Sequence, residues 1–132
     1  MDAGIFYHGY ISDITRTFPY NYKKISFELK EKIAYVGFGH NNEKSMTVLD
    51  EETLKELDLI IDELHKMKKE LSGVIFFSHK DRCFLAGADI NLIAGLRTES
   101  EGVKGAETGQ SIFNKLEDLK VPTVARVNGV CL

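Results

Sequence analysis

The stretch Cys83-Phe84-Leu85-Ala86-Gly87-Ala88-Asp89-Ile90-Asn91 decides how this chain is read. It follows a continuous apolar run, Val74-Ile75-Phe76-Phe77, within Gly73 to Ser78. Such a run, placed directly after a helix, reads as a strand buried on both faces of a sheet. Gly87 sits between two alanines, so side chains there are nearly absent. A backbone approaches a ligand closely only where side chains are small. Main-chain N–H groups at the start of a helix have no intrahelical partner and point outward. Together these features offer donors to an oxygen anion, with Asp89 capping the helix that follows. On spacing alone, such a stretch is usually just a tight strand-to-helix connection.

Upstream of the run lies a long helix. Leu54, Leu57, Ile61, Leu64, Met67 and Leu71 recur at three- and four-residue steps, one apolar stripe over about five turns. Asp50 stands where an N-cap belongs, and Glu51 and Glu52 suit the positive end of the helix dipole. Lys66, Lys68 and Lys69 suit the negative end, and Gly73 is the expected stop. A polar loop, Gly39 to Ser45, precedes this helix. Before it, Ile25, Phe27 and Leu29 alternate with Ser26, Glu28 and Lys30, a half-buried strand. Residues 33–38 predict a second strand, joined to the first through Glu31 and Lys32. That link suits an antiparallel hairpin, although it lacks the favoured Asn-Gly turn chemistry.

Downstream, residues 79–88 read as a loop and Asp89 to about Leu96 as a short helix. A longer helix spans Ser100 to Leu119, with Val103, Ala106, Phe113 and Leu116 expected to face inward. Gly102, Gly105 and Gly109 weaken it by up to ~1 kcal/mol each relative to alanine, so it depends on tertiary packing. Val121 to Val127 predicts another strand with Pro122 at its start, followed by the turn signal Asn128-Gly129. The order is β-β-α-β-α-α-β, and this alternation argues for an α/β fold with parallel pairing and helical crossovers. Residues 1–23 form an N-terminal extension, and its aromatic content (Phe6, Tyr7, Tyr10, Phe18, Tyr20, Tyr22) argues against a fully solvated tail. The domain proper is residues 24–132.

The chain's 132 residues suffice for one domain. A net charge of -3 gives no bulk attraction to nucleic acid or to an acidic membrane. No run approaches the ~20 apolar residues that a membrane span needs. The N-terminus lacks a basic segment followed by an apolar one, and it holds Asp2 and Asp13 against a single Arg16. A secretory or mitochondrial leader is therefore not expected, and a cytoplasmic location is. Cys83 and Cys131 make neither a disulfide framework nor a metal site and read as reduced, buried thiols. His8, His40, His65 and His79 are scattered and read as surface histidines, so no metal site is expected. Glu51-Glu52 and Asp58-Asp62 fall on the polar face of the long helix, where solvation explains them.

Phe84-Leu85-Ala86-Gly87-Ala88-Asp89-Ile90-Asn91 resembles the signature loop of the crotonase (enoyl-CoA hydratase/isomerase) superfamily. The likeness is greatest to the hydratase portion of multifunctional fatty-acid-oxidation α subunits. Glu43-Lys44-Ser45-Met46-Thr47-Val48-Leu49 resembles the family's loop before its first long helix. Val121 to Leu132 resembles the strand leading to the second oxyanion glycine. The three motifs stand in family order, over residues ~24–132. The resemblance implies the N-terminal part of a ββα spiral of the crotonase type.

It also implies an acyl-CoA thioester as substrate, with coenzyme A as part of that substrate and no covalently bound cofactor. By resemblance, Ala88 donates its main-chain N–H to the thioester carbonyl. Ala86 and Gly87 line the path of the pantetheine arm, and Asp89, Ile90 and Asn91 continue that lining. Lys44 falls where a basic residue often meets CoA phosphates, though a solvated surface lysine explains it as well, and the same holds for Lys80 and Arg82. The catalytic glutamates of the family are expected beyond residue 132, so this stretch alone is expected to be inactive. The implied activity is enoyl-CoA hydration in a longer, multifunctional enzyme that also carries 3-hydroxyacyl-CoA dehydrogenase activity. Such an enzyme works as a homo-oligomer or in a fatty-acid-oxidation complex. Enoyl-CoA isomerisation, or a non-catalytic acyl-CoA-binding or assembly fragment, are the alternatives.

Overall fold

Alternation between Ile25 and Lys30 folds as it reads. In the computed structural model, which describes residues 16–17, 22–40 and 45–132, β2 (Ile25–Lys30) pairs antiparallel with β3 (Ile33–Phe38). Ile25, Phe27 and Leu29 are buried, while Glu28 and Lys30 are exposed. The two-residue turn between the strands places Glu31 at φ 51° and Lys32 at φ 68°. Positive φ at both turn residues matches the right-handed twist of a hairpin, but it strains side chains that carry a Cβ. A short β1 (Arg16–Thr17) adds antiparallel to β2, and the rest of the segment before residue 22, His8 included, lies outside the described residues. Tyr22 is partly buried against the core.

The amphipathic helix α1 (Glu51–Lys66) crosses one face of the sheet and brings the chain to β4 (Gly73–Ser78), parallel to β3. Its buried stripe includes Leu57, Ile60, Ile61 and Leu64, set against Ile25, Val36, Val74 and Phe76. Asp50 caps it, accepting from the Thr53 N–H at 2.7 Å. Burial pulls the Asp50 carboxyl up, but the Thr53 bonds and the Lys24 ammonium outweigh it and hold it below the usual carboxylate range. The helix ends earlier than expected, at Lys66 rather than at Gly73, because the chain turns through Met67, whose N–H still bonds the Glu63 carbonyl. Leu71 reaches the core from beyond the helix, and Gly73 opens β4. Glu56 is buried and accepts the N–H groups of Lys23, Lys24 and Ile25 at 2.7, 2.8 and 3.0 Å. This fastens the start of β2 to α1.

Residues 79–88 are not all loop. Cys83–Leu85 forms β5, which pairs in parallel with β7 (Val130–Cys131) in a second, two-stranded sheet. The strand expected over Val121 to Val127 is confined to β6 (Thr123–Ala125), parallel to β4. Pro122 lies just before it, where its carbonyl accepts from the Val74 N–H. The first sheet therefore runs β1-β2-β3-β4-β6. Its outer face is only half covered, so Ile75 and Phe77 are half-buried where burial on both faces was expected. Gly37 makes room there for His79, whose Nε2 meets Ser26 Oγ at 2.6 Å, and Arg126 lies over the Phe77 ring at 5.1 Å.

The last two helices are α2 (Ile90–Ala94) and α3 (Glu99–Glu117). α3 packs on the core through Ile112 and Leu116, and Leu119, just beyond its end, is buried there too. Val103, Ala106 and Phe113 do not face inward: Val103 is 51% and Phe113 46% exposed. No described element covers the N-terminal two thirds of this helix, and a 3.6-residue stripe does not say which of its members meets a neighbour. Asp58 and Asp62 are not merely solvated, since both bind Lys115 Nζ at 2.6 Å and clip α3 to α1. His65, expected at the surface, is part-buried and bonds the Lys115 carbonyl at 2.6 Å. Cys83 is buried as expected, whereas Cys131 is exposed, on a strand whose outer side nothing described covers.

Candidate active site

Residues 86–89 follow β5, beside the segment that leads into α1. The Ala86 N–H donates to the Thr47 carbonyl at 2.8 Å. Leu49 N–H donates to the Gly87 carbonyl at 2.9 Å, and Asp89 N–H to the Leu49 carbonyl at 3.2 Å. The last two bonds make a parallel bridge between Leu49 and Ala88. In a parallel bridge one residue uses its own N–H and C=O, and the residue opposite directs both of its groups the other way. Leu49 is the bonded member, so Ala88 turns its N–H away from residues 47–49. Among the described residues nothing accepts from that N–H. Gly87 stands at φ 91°, a conformation open to glycine and strained for other residues.

Ala88 is exposed and lies on the wall of an open cleft of about 1000 Å³ between α1, α2 and α3. Leu49, Leu54, Leu92, Ile93 and Phe113 make the cleft wall largely apolar, and Glu51, Lys55, Asp58, Lys104, Glu107 and Lys115 also line it. Of the residues singled out in the loop, only Ala88 reaches this wall. Ala86 and Gly87 are half-buried beside it. The Asp89 carboxylate accepts from the Asn91 N–H at 3.0 Å and so caps α2, as expected. Ile90 and Asn91 are exposed at the start of that helix and line no part of the cleft. Lys44 lies outside the described residues. Lys80 turns back to donate from Nζ to the Ser45 carbonyl, and Arg82 is exposed.

Sequence reasoning missed the cleft wall itself. Leu54 and Phe113 read as core, and Leu92 and Ile93 were part of a short helix with no assigned face. Their signal was an excess of large apolar residues for so short a helix, visible only once their exposure is known. Among the described residues, no group of three or more His, Cys, Asp or Glu gathers where a metal would bind. No helix among them is long and apolar enough to cross a membrane.

The model of the enoyl-CoA hydratase/isomerase family matches residues 28–132, and the chain belongs to that family. It is 37% identical over 102 residues to the fatty acid oxidation complex subunit alpha of Aliivibrio fischeri, covering 77% of this chain and 15% of that protein. The subunit of the same name from Idiomarina loihiensis is 37% identical over 89 residues, 67% of this chain and 12% of its own length. The chain thus spans less than a sixth of these relatives. Among solved structures, an enoyl-CoA hydratase from Geobacillus kaustophilus superposes with a TM-score of 0.71 at 20% identity, over 88% of this chain and 40% of that one. One from Bacillus anthracis gives 0.69 at 23% identity, over 81% and 40%. At such identities the superpositions establish the fold.

Proposed function

We propose that this chain supplies the first main-chain donor of an oxyanion hole that activates 2-enoyl-CoA thioesters for hydration in cytoplasmic fatty-acid β-oxidation. The observation that carries this reading is the Ala88 N–H, left without an acceptor by a parallel bridge and set on the wall of an apolar cleft. Adding water across a conjugated enoyl thioester builds negative charge on the carbonyl oxygen. A donor already oriented toward that oxygen stabilises it by about 3 kcal/mol in a site shielded from water. Leu92, Ile93 and Phe113 give the acyl chain an apolar wall. The names of the relatives, fatty acid oxidation complex subunit alpha, support placement in a longer fatty-acid-oxidation subunit that works in a complex. A 3-hydroxyacyl-CoA dehydrogenase activity elsewhere in that protein, and assembly as a homo-oligomer as the other form, belong to the same proposal.

The test separates the carbonyl from the rest of the ligand. Crotonyl-CoA and its thioether analogue, which lacks the carbonyl oxygen, are titrated into chain labelled with nitrogen-15. The Ala88 amide is expected to move downfield with the thioester and to stay in place with the thioether. Equal movement with both ligands, or none with either, overturns the assignment.

A further inference from the structure

We infer that Asn128 is a positioning residue for the loop that carries the Ala88 amide, an inference that rests on the oxyanion reading above. Asn128 Nδ2 donates to two carbonyls at once, that of Lys80 at 2.7 Å and that of Asp81 at 2.9 Å. Both partners are acceptors, so the position requires a group with two protons to give. A carboxylate of the same shape presents only lone pairs to them.

The bonded turn supports the loop from two sides. On one side the chain after Asn128 is pressed onto it: Gly129 stands at φ 65°, and a Cβ there would lie 2.2 Å from the Arg82 carbonyl carbon and oxygen. The Val130 N–H then bonds the Arg82 carbonyl at 3.0 Å, β7 runs along β5, and the Leu132 N–H bonds the Leu85 carbonyl at 2.9 Å. Leu132 is thereby brought beside the loop, 3.7 Å from where a Gly87 Cβ would sit. On the other side, Ser78 Oγ donates to the Cys83 carbonyl at 2.6 Å and accepts the Lys80 N–H at 3.0 Å. Lys80 Nζ reaches the Ser45 carbonyl, just before Thr47 and Leu49, whose carbonyls hold the Ala86 and Asp89 amides. Residues 80–82 are thus the common footing of the strand behind the loop and the segment beside it, and Asn128 holds that footing. It acts through the turn and touches no ligand.

The experiment uses the labelled chain carrying Asn128→Asp or Asn128→Ser, studied well below the unfolding temperature. Without ligand, Asn128→Asp is expected to shift the Ala88 and Leu132 amide resonances while leaving those of Lys23 and Ile25, held by Glu56, in place. Its affinity for crotonyl-CoA is expected to fall about tenfold, or about 1.4 kcal/mol of binding free energy. Asn128→Ser, which keeps one donor, should lie between. A folded Asn128→Asp with unmoved Ala88 and Leu132 resonances overturns the proposal and leaves Asn128 a simple turn clasp. If the Asp variant does not fold, Asn128→Ser decides by the same resonances. If native chain shows no carbonyl-dependent Ala88 shift while Asn128→Asp still moves that resonance without ligand, the functional reading fails and the positioning role stands.

Discussion

Gly37 and His79 show how much one missing Cβ permits. A Cβ at Gly37 would lie 2.5 Å from His79 Nε2 and from Ser26 Oγ, and 2.6 Å from Phe77 Cζ. The histidine ring therefore sits in the space left at Gly37, edge-on to the Phe77 ring and 5.3 Å from that of His40 between centroids. Desolvation holds the His79 pKa below its ordinary 6.5, the nearby His40 adds to that, and Glu28 opposes both. A histidine with a lowered folded-state pKa is easier to protonate once the chain unfolds. Its contribution to stability is complete above about pH 6.5 and is lost as the pH falls through the folded value. Urea midpoints are thus expected to drop between pH 7 and pH 5, and His79→Gln to flatten that drop. An unchanged slope in the variant would assign the effect to other groups.

Among the elements, the β2–β3 hairpin carries a cost in its own turn. Glu31 and Lys32 both occupy left-handed backbone, which disfavours a residue with a Cβ by about 1 kcal/mol or more. Replacing the pair with Asn-Gly suits the observed turn and leaves the strand register unchanged. The expected gain is about 1 kcal/mol, a rise in melting temperature of roughly 4 °C for a chain of this size. A fall in stability would mean that the turn is not of this type in solution. Glycine makes the opposite point in α3. Gly105 and Gly109 have nothing within 4 Å of where a Cβ would sit, so neither is required there by crowding.

At the scale of the whole molecule, α3 is held by one end. Ile112 and Leu116 pack its C-terminal part on the core, Leu119 follows just past its end, and Lys115 bridges to Asp58 and Asp62. The hydrogen bonds that Lys115 donates to those carboxylates hold its pKa above the usual 10.5. With both carboxylates ionised, as at neutral pH, the clip is fully present up to pH 10.5 and weakens as the pH rises through the raised value. Because the ammonium is partly exposed, solvent screening limits its worth to under about 1 kcal/mol. Lys115→Met is expected to speed amide hydrogen exchange in residues 99–111 while leaving α1 protected. Equal acceleration in both helices would mean that they open as one unit.

Pattern in the sequence determined much of this. Alternation at Ile25 to Lys30, the stripe from Leu54 to Leu64, and the apolar run at β4 each report local periodicity, and each element appears with its expected type. Small residues at 86–88 marked the loop, because a bare backbone is visible in composition. Tertiary structure alone decided the rest. Two- and three-residue strands such as β7 and β5 are too short to show a period; they pair where Asn128 bonds the Lys80 and Asp81 carbonyls and the Val130 N–H bonds that of Arg82. Whether Val103 or Ile112 is buried depends on where α3 meets α1, not on hydrophobicity. The free direction of the Ala88 N–H depends on which residue of a parallel bridge uses its own hydrogen bonds. That is a property of two segments 39 residues apart in register, and no stretch of either contains it.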